Sequence, residues 1–61
     1  MQHEEISRYV GKRVRVYQKD GNTFWTGNIE CVSQAATTIN DKFGRLVTVE
    51  NDEIKVISEW S

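Results

Sequence analysis

The stretch "GNTFWTGNIE", residues 21–30, places two large aromatic side chains next to each other between two glycines. Neighbouring residues of a β-strand point to opposite faces of the sheet, so Phe24 and Trp25 cannot both enter one core. One side of this strand carries apolar or small residues, namely Trp25, Gly27, Ile29 and Cys31. The other side is polar apart from Phe24, with Thr26, Asn28 and Glu30. We therefore predict that Trp25 and Cys31 are buried and that Phe24 faces outward.

Gly27 and Phe24 each allow two interpretations. Gly27 indicates either a sharp bend of the strand or a neighbour that needs room for the Trp25 indole. An outward Phe24 can cover one end of the fold against the helix or a turn. It can instead serve as a contact surface for another subunit or for a stacked nucleobase.

The length of the chain, 61 residues, predicts a single domain over residues 1–61. A domain of this size buries only about 60% of the surface of its unfolded chain, so it is marginally stable on its own. Cys31 and His3 are the only residues of their types, so they form neither an internal disulfide nor a structural zinc site by themselves. An efficient small core or self-association is then needed for stability.

Hydropathy and cysteine usage together predict a cytoplasmic protein. The sequence contains no apolar run long enough to span a bilayer, and its N-terminal residues have no signal-peptide profile. A single cysteine is also unlike the disulfide frameworks of small secreted domains. We expect no interaction with membranes.

The apolar pattern predicts one short helix followed by five short strands. Ile6, Tyr9 and Val10 form an apolar stripe with helical spacing, and Gly11 follows it, which predicts a helix over about residues 3–10. The strands are expected at about residues 12–19, 23–32, 37–41, 45–50 and 53–58. Short strands joined by tight turns are typical of a small closed or nearly closed antiparallel barrel, because closure removes exposed edges.

The order of these elements and two short motifs resemble the Sm-like family over about residues 5–57. In the first family motif, a strand is followed by a turn glycine, a bulky residue, a glycine and an aliphatic residue. The corresponding residues here are Val14, Val16, Gly21, Trp25, Gly27 and Ile29. The resemblance implies a mainly β fold, with a short N-terminal helix on a five-stranded, strongly bent antiparallel barrel of the SH3-like (Sm-like) type.

The second family motif is matched only in part. It usually reads aliphatic-x-aliphatic-Arg-Gly-x-x-aliphatic, and this chain keeps the aliphatic residues as Val47, Val49 and Ile54. Glu50 stands in the position of the arginine, which reverses the charge, and Asn51 stands in the position of the glycine. Because asparagine tolerates a positive φ, Asn51 is expected to replace that glycine in its backbone conformation.

The residues that form the uridine pocket of the family are also altered. In the family, an aspartate, an asparagine and the motif arginine form this pocket on the inner rim of a ring. The first two positions are Ser33 and Thr37 here. The hydroxyl groups of Ser33 and Thr37 can donate or accept hydrogen bonds, and so can the amide of Asn51. Ser33, Thr37 and Asn51 are therefore candidate RNA-binding residues, while Glu50 would repel phosphate.

The first strand carries a second group of candidate RNA-binding residues. Its outward residues are Arg13, Arg15 and Tyr17, flanked by Lys12 and Lys19. One interpretation is a solvated, charged edge that discourages aggregation. The other is a strip in which Arg13 and Arg15 bind phosphate, while Tyr17 and Phe24 offer stacking surfaces for bases.

The resemblance further implies assembly into a ring, in which the fourth strand of one subunit pairs with the fifth strand of the next. The residues expected at this subunit interface are Leu46, Val47, Val49, Ile54 and Val56. A marginal core and open strand edges favour such association independently of the family.

Catalytic and metal-binding groups are not indicated. His3 is the only histidine, and no nucleophile–histidine–acid set accompanies it. Glu50, Asp52 and Glu53 cluster at one turn, but a divalent-ion site needs more converging oxygen atoms. We expect no enzyme activity, no cofactor and no metal. Trp60 is expected to cover the floor of the barrel or to contact a neighbouring subunit.

Two functions remain open at this point. The first is a homo-oligomeric ring that binds single-stranded RNA without catalysis, through the outward strip rather than the usual pocket. The second is a protein-interaction or scaffolding barrel without nucleic-acid binding. Glu50, Ser33 and an isoelectric point of about 5.7 favour the second function. The basic strand and the family resemblance favour the first, and we therefore predict RNA binding.

Overall fold

The computed structural model describes residues 1–59, which form a short helix, five strands and one 3₁₀ turn. The elements are α1 (His3–Ser7), β1 (Arg13–Gln18), β2 (Phe24–Val32), β3 (Ala36–Asp41), β4 (Leu46–Glu50), the 3₁₀ turn (Asn51–Glu53) and β5 (Ile54–Glu59). Every strand begins and ends within one residue of its predicted position. Among residues 1–59, no helix has the length and apolarity needed to cross a membrane. Trp60, with its predicted covering role, lies outside the described residues.

The helix α1 is shorter than predicted, because it ends at Ser7 rather than near Val10. The N–H groups of Arg8, Tyr9 and Val10 bond to carbonyl oxygens only three residues earlier, which tightens the chain out of the α-helical path. Val10 then forms a parallel bridge with Ile29 of β2. The residues after the helix are thus used to join the sheet, and the C-terminal part of the predicted helix is wrong.

The five strands lie in the order β4-β3-β2-β1-β5, and all neighbours are antiparallel. The central strand β2 has nine residues, and its two halves have different partners. Residues 24–28 pair with β1, whereas residues 27–32 pair with β3. Gly27 therefore lies where β2 exchanges one partner for the other.

Gly27 is required by the close approach of β3. A Cβ atom at this position would lie 2.7 Å from the Cα atom of Asp41 and closer still to the carbonyl oxygen of Asn40. The space beside Gly27 is thus occupied by the backbone of β3 and not by the Trp25 indole, so that interpretation of the glycine is wrong. A glycine here lets two backbones approach each other.

We expect Gly27→Ala to destabilise the protein, because the added methyl group forces β2 and β3 apart. The free energy of unfolding should fall by about 1–3 kcal/mol or more, as for overpacked positions generally. Urea unfolding followed by tryptophan fluorescence measures this loss. The matched control is Asn28→Ala at the next position of the same strand, which is exposed and should change stability by less than about 0.5 kcal/mol. Equal effects of the two changes would contradict the close-approach explanation.

The sheet is open, in contrast to the closed or nearly closed barrel that was predicted. Within residues 1–59, β4 pairs only with β3 and β5 pairs only with β1, so each leaves one edge without a strand partner. The 3₁₀ turn carries the chain from one edge strand to the other. The nitrogen of Met1 donates to the carbonyl oxygens of Asn51 and Ile54, at 2.8 and 3.1 Å, which ties the start of the chain to this turn. A mainly β fold is confirmed, and barrel closure is not.

The core is a small aliphatic cluster under the sheet. Its members are Ile6, Val14, Val16, Ile29, Ile39, Val49, Ile54 and Ile57. Trp25 is only partly buried and packs against the margin of this cluster, while its indole Nε1 donates to Oε1 of Gln18 at 3.0 Å. Trp25 therefore faces inward, as predicted, but it covers the core rather than filling its centre.

Cys31 is exposed, so the prediction of a buried cysteine is wrong. The pairing of β2 with β3 shifts between Ile29, which faces Ile39, and Cys31, which faces Thr38. One extra residue, Glu30, is accommodated there as a β-bulge, and the residues beyond a bulge exchange faces. The alternation read from Trp25 onward therefore fails after Ile29.

Candidate nucleic-acid interface

The outward face of β1 and β2 brings three of the predicted residues into contact. Tyr17 and Phe24 face each other across the two strands, and their ring centroids are 5.8 Å apart. The Arg15 guanidinium carbon lies 5.1 Å from the centroid of the Phe24 ring, in the range of a cation–π contact. Phe24 keeps 51% of its surface exposed. The outward orientation predicted for Phe24 is thus confirmed, and its ring is presented together with a cation.

The basic residues of β1 continue this face along the strand. Arg13 is exposed and lies opposite Asn28 in the pairing with β2. Lys12 forms an ion pair with Glu59, with Nζ and Oε1 2.9 Å apart. The hydrogen bond and charge of Glu59 raise the pKa of Lys12. The charge of Lys12 is therefore partly neutralised, and the basic residues within β1 itself are Arg13 and Arg15.

The turn between β3 and β4 adds a second aromatic group that was not singled out from the sequence. Phe43 is 71% exposed. The Lys42 Nζ atom and the Arg45 guanidinium carbon lie 5.2 and 5.4 Å from the centroid of its ring. The order Lys-Phe-Gly-Arg, an aromatic residue between two cations in a turn, is the sequence signal that could have indicated this group.

Asp41 holds the turn in this arrangement. Its Oδ1 atom accepts hydrogen bonds from the backbone N–H groups of Phe43 and Arg45, both at 2.9 Å, and its Oδ2 atom accepts from Nε of Arg45 at 3.1 Å. The Asp41 side chain is only 4% exposed. Donation from the Arg45 backbone N–H, together with the other two hydrogen bonds, lowers the pKa of Asp41 despite its burial. The turn is therefore built around an ionised carboxylate.

A groove lies between the outward face of β2 and this turn. The backbone N–H of Lys42 donates to the carbonyl oxygen of Thr26 at 2.8 Å, which holds the turn beside β2. Phe24 and Phe43 line the same cavity of about 200 Å³. A second cavity of about 270 Å³ adjoins it and includes Arg13 in its lining. Aromatic rings and three basic residues therefore line this groove.

Ser33, Thr37 and Asn51 come together elsewhere, in a hydrogen-bond network. Thr37 donates from its hydroxyl to Oδ1 of Asn51 at 2.6 Å, and Nδ2 of Asn51 donates to the carbonyl oxygens of Ser33 and Gln34 at 2.9 and 3.2 Å. Thr37 and Asn51 are buried, with 0% and 3% of their surfaces exposed. Their polar groups join the loop after β2 to the 3₁₀ turn. Binding of RNA by these three residues stays a prediction, and their placement assigns them a structural role.

The backbone of Asn51 does not have the conformation expected for a glycine replacement. Among residues 1–59, positive φ angles occur only at glycines, and Asn51 begins the 3₁₀ turn. The expected positive φ at Asn51 is therefore wrong. Its side chain instead makes the hydrogen bonds described above, since a buried amide needs partners for its donors and acceptor.

The residues predicted for a subunit interface divide into two sets. Val49 and Ile54 belong to the core of the chain itself, and Val47 packs partly against that core. Leu46 and Val56 are 69% and 46% exposed on the two edge strands. Only these last two side chains are available to a neighbouring molecule, although the open edges of both strands also offer backbone groups.

Metal ligands do not converge in the part of the chain that the structure describes. No group of three or more His, Cys, Asp or Glu side chains in residues 1–59 is placed to hold a metal ion. The acidic residues of the 3₁₀ turn, Asp52 and Glu53, are exposed to solvent.

No protein-family model, curated protein or solved structure matches this chain at a significant level. The resemblance to the Sm-like family therefore stays a prediction. The contacts of the outward face and the turn are independent of it.

We expect Asp41 to make the stability of the protein sensitive to acid. Because its pKa is lowered in the folded state, its stabilising effect is fully present above the ordinary value of 3.8 and is lost as the pH falls through the lowered pKa. Asp41→Asn should remove this dependence, so the variant should lose less stability than the parent protein between about pH 4 and pH 2. Chemical unfolding at a series of pH values measures the difference. Asp52→Asn removes an exposed acid of the 3₁₀ turn and serves as the control for the loss of one negative charge.

Proposed function

We propose that this protein binds single-stranded RNA without catalysis through the outward face of β1 and β2. The observation that carries the proposal is Phe24, a half-exposed ring that contacts Tyr17 and the Arg15 guanidinium. Aromatic side chains on a sheet surface stack with unpaired bases, and arginines beside them meet the phosphates. Phe24 is half-exposed and lies beside an aromatic ring and a cation, which together suit this task.

The charge distribution favours a local interface over general attraction to nucleic acid. The chain carries a formal net charge of −1, so the protein as a whole does not attract a polyanion. The arginines of β1 concentrate positive charge on one face. A site that combines few phosphate contacts with base stacking is selective for unpaired strands, because the bases of a duplex are not free to stack on protein side chains.

Self-assembly into a ring belongs to the same proposal. The two open edges, β4 and β5, are complementary in kind, since within residues 1–59 each lacks a strand partner on one side and carries one exposed apolar side chain, Leu46 or Val56. Pairing of β4 in one molecule with β5 in the next covers both edges at once. Head-to-tail contacts of this type close into a ring when the rotation between subunits allows it. We place this assembly in the cytoplasm.

A protein-interaction or scaffolding role is the second candidate. It is favoured by the burial of Thr37 and Asn51, which removes two of the candidate RNA-binding residues from the surface. Glu50, next to them, would repel phosphate. A barrel-like module of this kind would use its edges for a protein partner and would lack affinity for RNA.

Phe24→Ala separates these two candidates. We expect this change to weaken binding of a labelled uridine-rich oligomer by about five- to a hundredfold, because one stacked base is lost. Fluorescence anisotropy at two salt concentrations measures the affinity. Val10→Ala removes an exposed apolar group that lies between α1 and β1 and is the matched control. Absence of salt-dependent binding by the parent protein would favour the scaffolding role.

Arg15→Ala should act differently from Phe24→Ala. Loss of one phosphate contact is expected to reduce the slope of log affinity against log salt concentration by about 1, with similar effects on uridine-rich and adenine-rich oligomers. The salt titration used for Phe24→Ala gives this slope. An unchanged slope in the double variant Arg13→Ala, Arg15→Ala would contradict phosphate binding by the strip.

Leu46→Lys tests the assembly. A charge at an exposed edge strand opposes edge-to-edge pairing, so the subunit number measured by light scattering should fall to one. Asn28→Lys adds the same charge to the central strand β2, where no edge is available, and should leave the subunit number unchanged. A parent protein that is monomeric at micromolar concentration would rule out the ring.

A further inference from the structure

We infer that the turn between β3 and β4 is a second nucleobase platform, so that the groove takes a single strand of at least two nucleotides, with one base on Phe24 and another on Phe43. This inference rests on the proposed RNA binding and extends it to a part of the molecule with no other assigned role. It is carried by three observations, which are the exposure of Phe43, the construction of the turn and the position of the groove.

Phe43 has no structural task that accounts for its ring. It keeps 71% of its surface exposed and does not belong to the core cluster or to the residues packed against it. Single exposed apolar residues are common on protein surfaces, but this ring has two cations close to it. An aromatic ring can stack with the base of a nucleotide, and cations beside the ring can meet its phosphate.

The turn that carries Phe43 is held together by several hydrogen bonds, as a binding platform requires. The carboxylate of Asp41 accepts two backbone hydrogen bonds across the turn and a third from Arg45, and Gly44 supplies the positive φ of 82° that the turn requires. Arg45 is thereby anchored. Lys42 has no comparable anchor among residues 1–59, so its ammonium group can leave the ring and meet a phosphate when a base stacks there.

The position of the turn joins the two platforms. Phe24 and Phe43 line one cavity, with Thr26 and Asp41 at its base, and the adjoining cavity leads to Arg13. The carboxylate of Asp41 lies in this groove, but it is almost fully buried and its oxygens are occupied by hydrogen bonds. The exposed cations among the lining residues are Arg13, Lys42 and Arg45, of which Arg45 is ion-paired with Asp41. A phosphodiester between two stacked bases would therefore meet positive charge.

Phe43→Ala, compared with Phe24→Ala on oligouridines of one, two and six nucleotides, tests the inference. We expect Phe43→Ala to weaken binding of the hexamer by about five- to a hundredfold and to remove most of the gain in affinity from one nucleotide to two. Phe43→Tyr keeps the ring and should retain binding, whereas Phe43→Leu keeps apolar bulk without the ring and should not. Full binding by Phe43→Leu would overturn stacking at this position.

Failure of this inference can be told apart from failure of the proposed function. If the hexamer binds, depends on Phe24 and is indifferent to Phe43→Ala, only the second platform is wrong. If the parent protein binds no oligonucleotide, the proposed function itself fails. Polyglutamate that binds as tightly as the hexamer, with the same dependence on Phe43, would overturn the inference in favour of an acidic protein partner.

A measurement on the unsubstituted protein guards against variants that fail to fold. Ultraviolet crosslinking to the uridine hexamer, followed by mass spectrometry, locates the residues that contact bases. We expect crosslinked peptides that contain Phe24 and others that contain Phe43. Crosslinks confined to peptides without Phe43 would overturn the second platform.

Discussion

The close backbone contact between β2 and β3 at Gly27 is the constraint on which the other features of the sheet depend. It lies where β2 passes from its pairing with β1 to its pairing with β3. One half of β2 thereby carries Phe24 beside the basic strand, and the other half leads to the bulge and the loop. The same contact brings the end of β3 next to Thr26, so the turn that follows is held against β2. Without this approach, the two aromatic groups would not border one groove.

Polar residues whose sequence positions suggest a binding pocket can instead form hydrogen bonds within the chain. Thr37 and Asn51 lie close together, but they bond to each other, and Asn51 bonds to the loop after β2. This network joins the loop after β2 to the 3₁₀ turn that connects the two edge strands. The outward face has the opposite character, because Arg13 and Phe24 are exposed there.

Much of the fold could be predicted from the sequence because local signals act at short range. Alternation of Val14 and Val16 with polar residues marks β1, and the contrast between the two sides of β2 orients Phe24 and Trp25 correctly. The exposure of Cys31 could not be predicted, because a bulge depends on the pairing of two strands that are distant in sequence. Whether the sheet closes likewise depends on the relative positions of its two edge strands, β4 and β5.

The candidate site was predicted on β1 and β2 and missed at the turn for a related reason. A residue alternation identifies which side chains share a strand face, and this was sufficient for Arg15, Tyr17 and Phe24. Phe43 lies in a turn, where no period reveals the direction of a side chain. The hydrogen bonds of Asp41 and the bond from Lys42 N–H to the Thr26 carbonyl help to determine where the turn lies.

The bulge at Glu30 also changes which residues of β2 face the core. Before it, the odd-numbered residues of β2 face the core, and after it the even-numbered Val32 packs there instead and pairs with the buried Thr37. The number of residues between Ile29 and Ser33 therefore determines which face of the sheet the following residues occupy, as well as the length of the segment. If β2 were one residue shorter, the carbonyl groups of the loop after it would lie on the other side of the sheet, out of reach of the Asn51 amide.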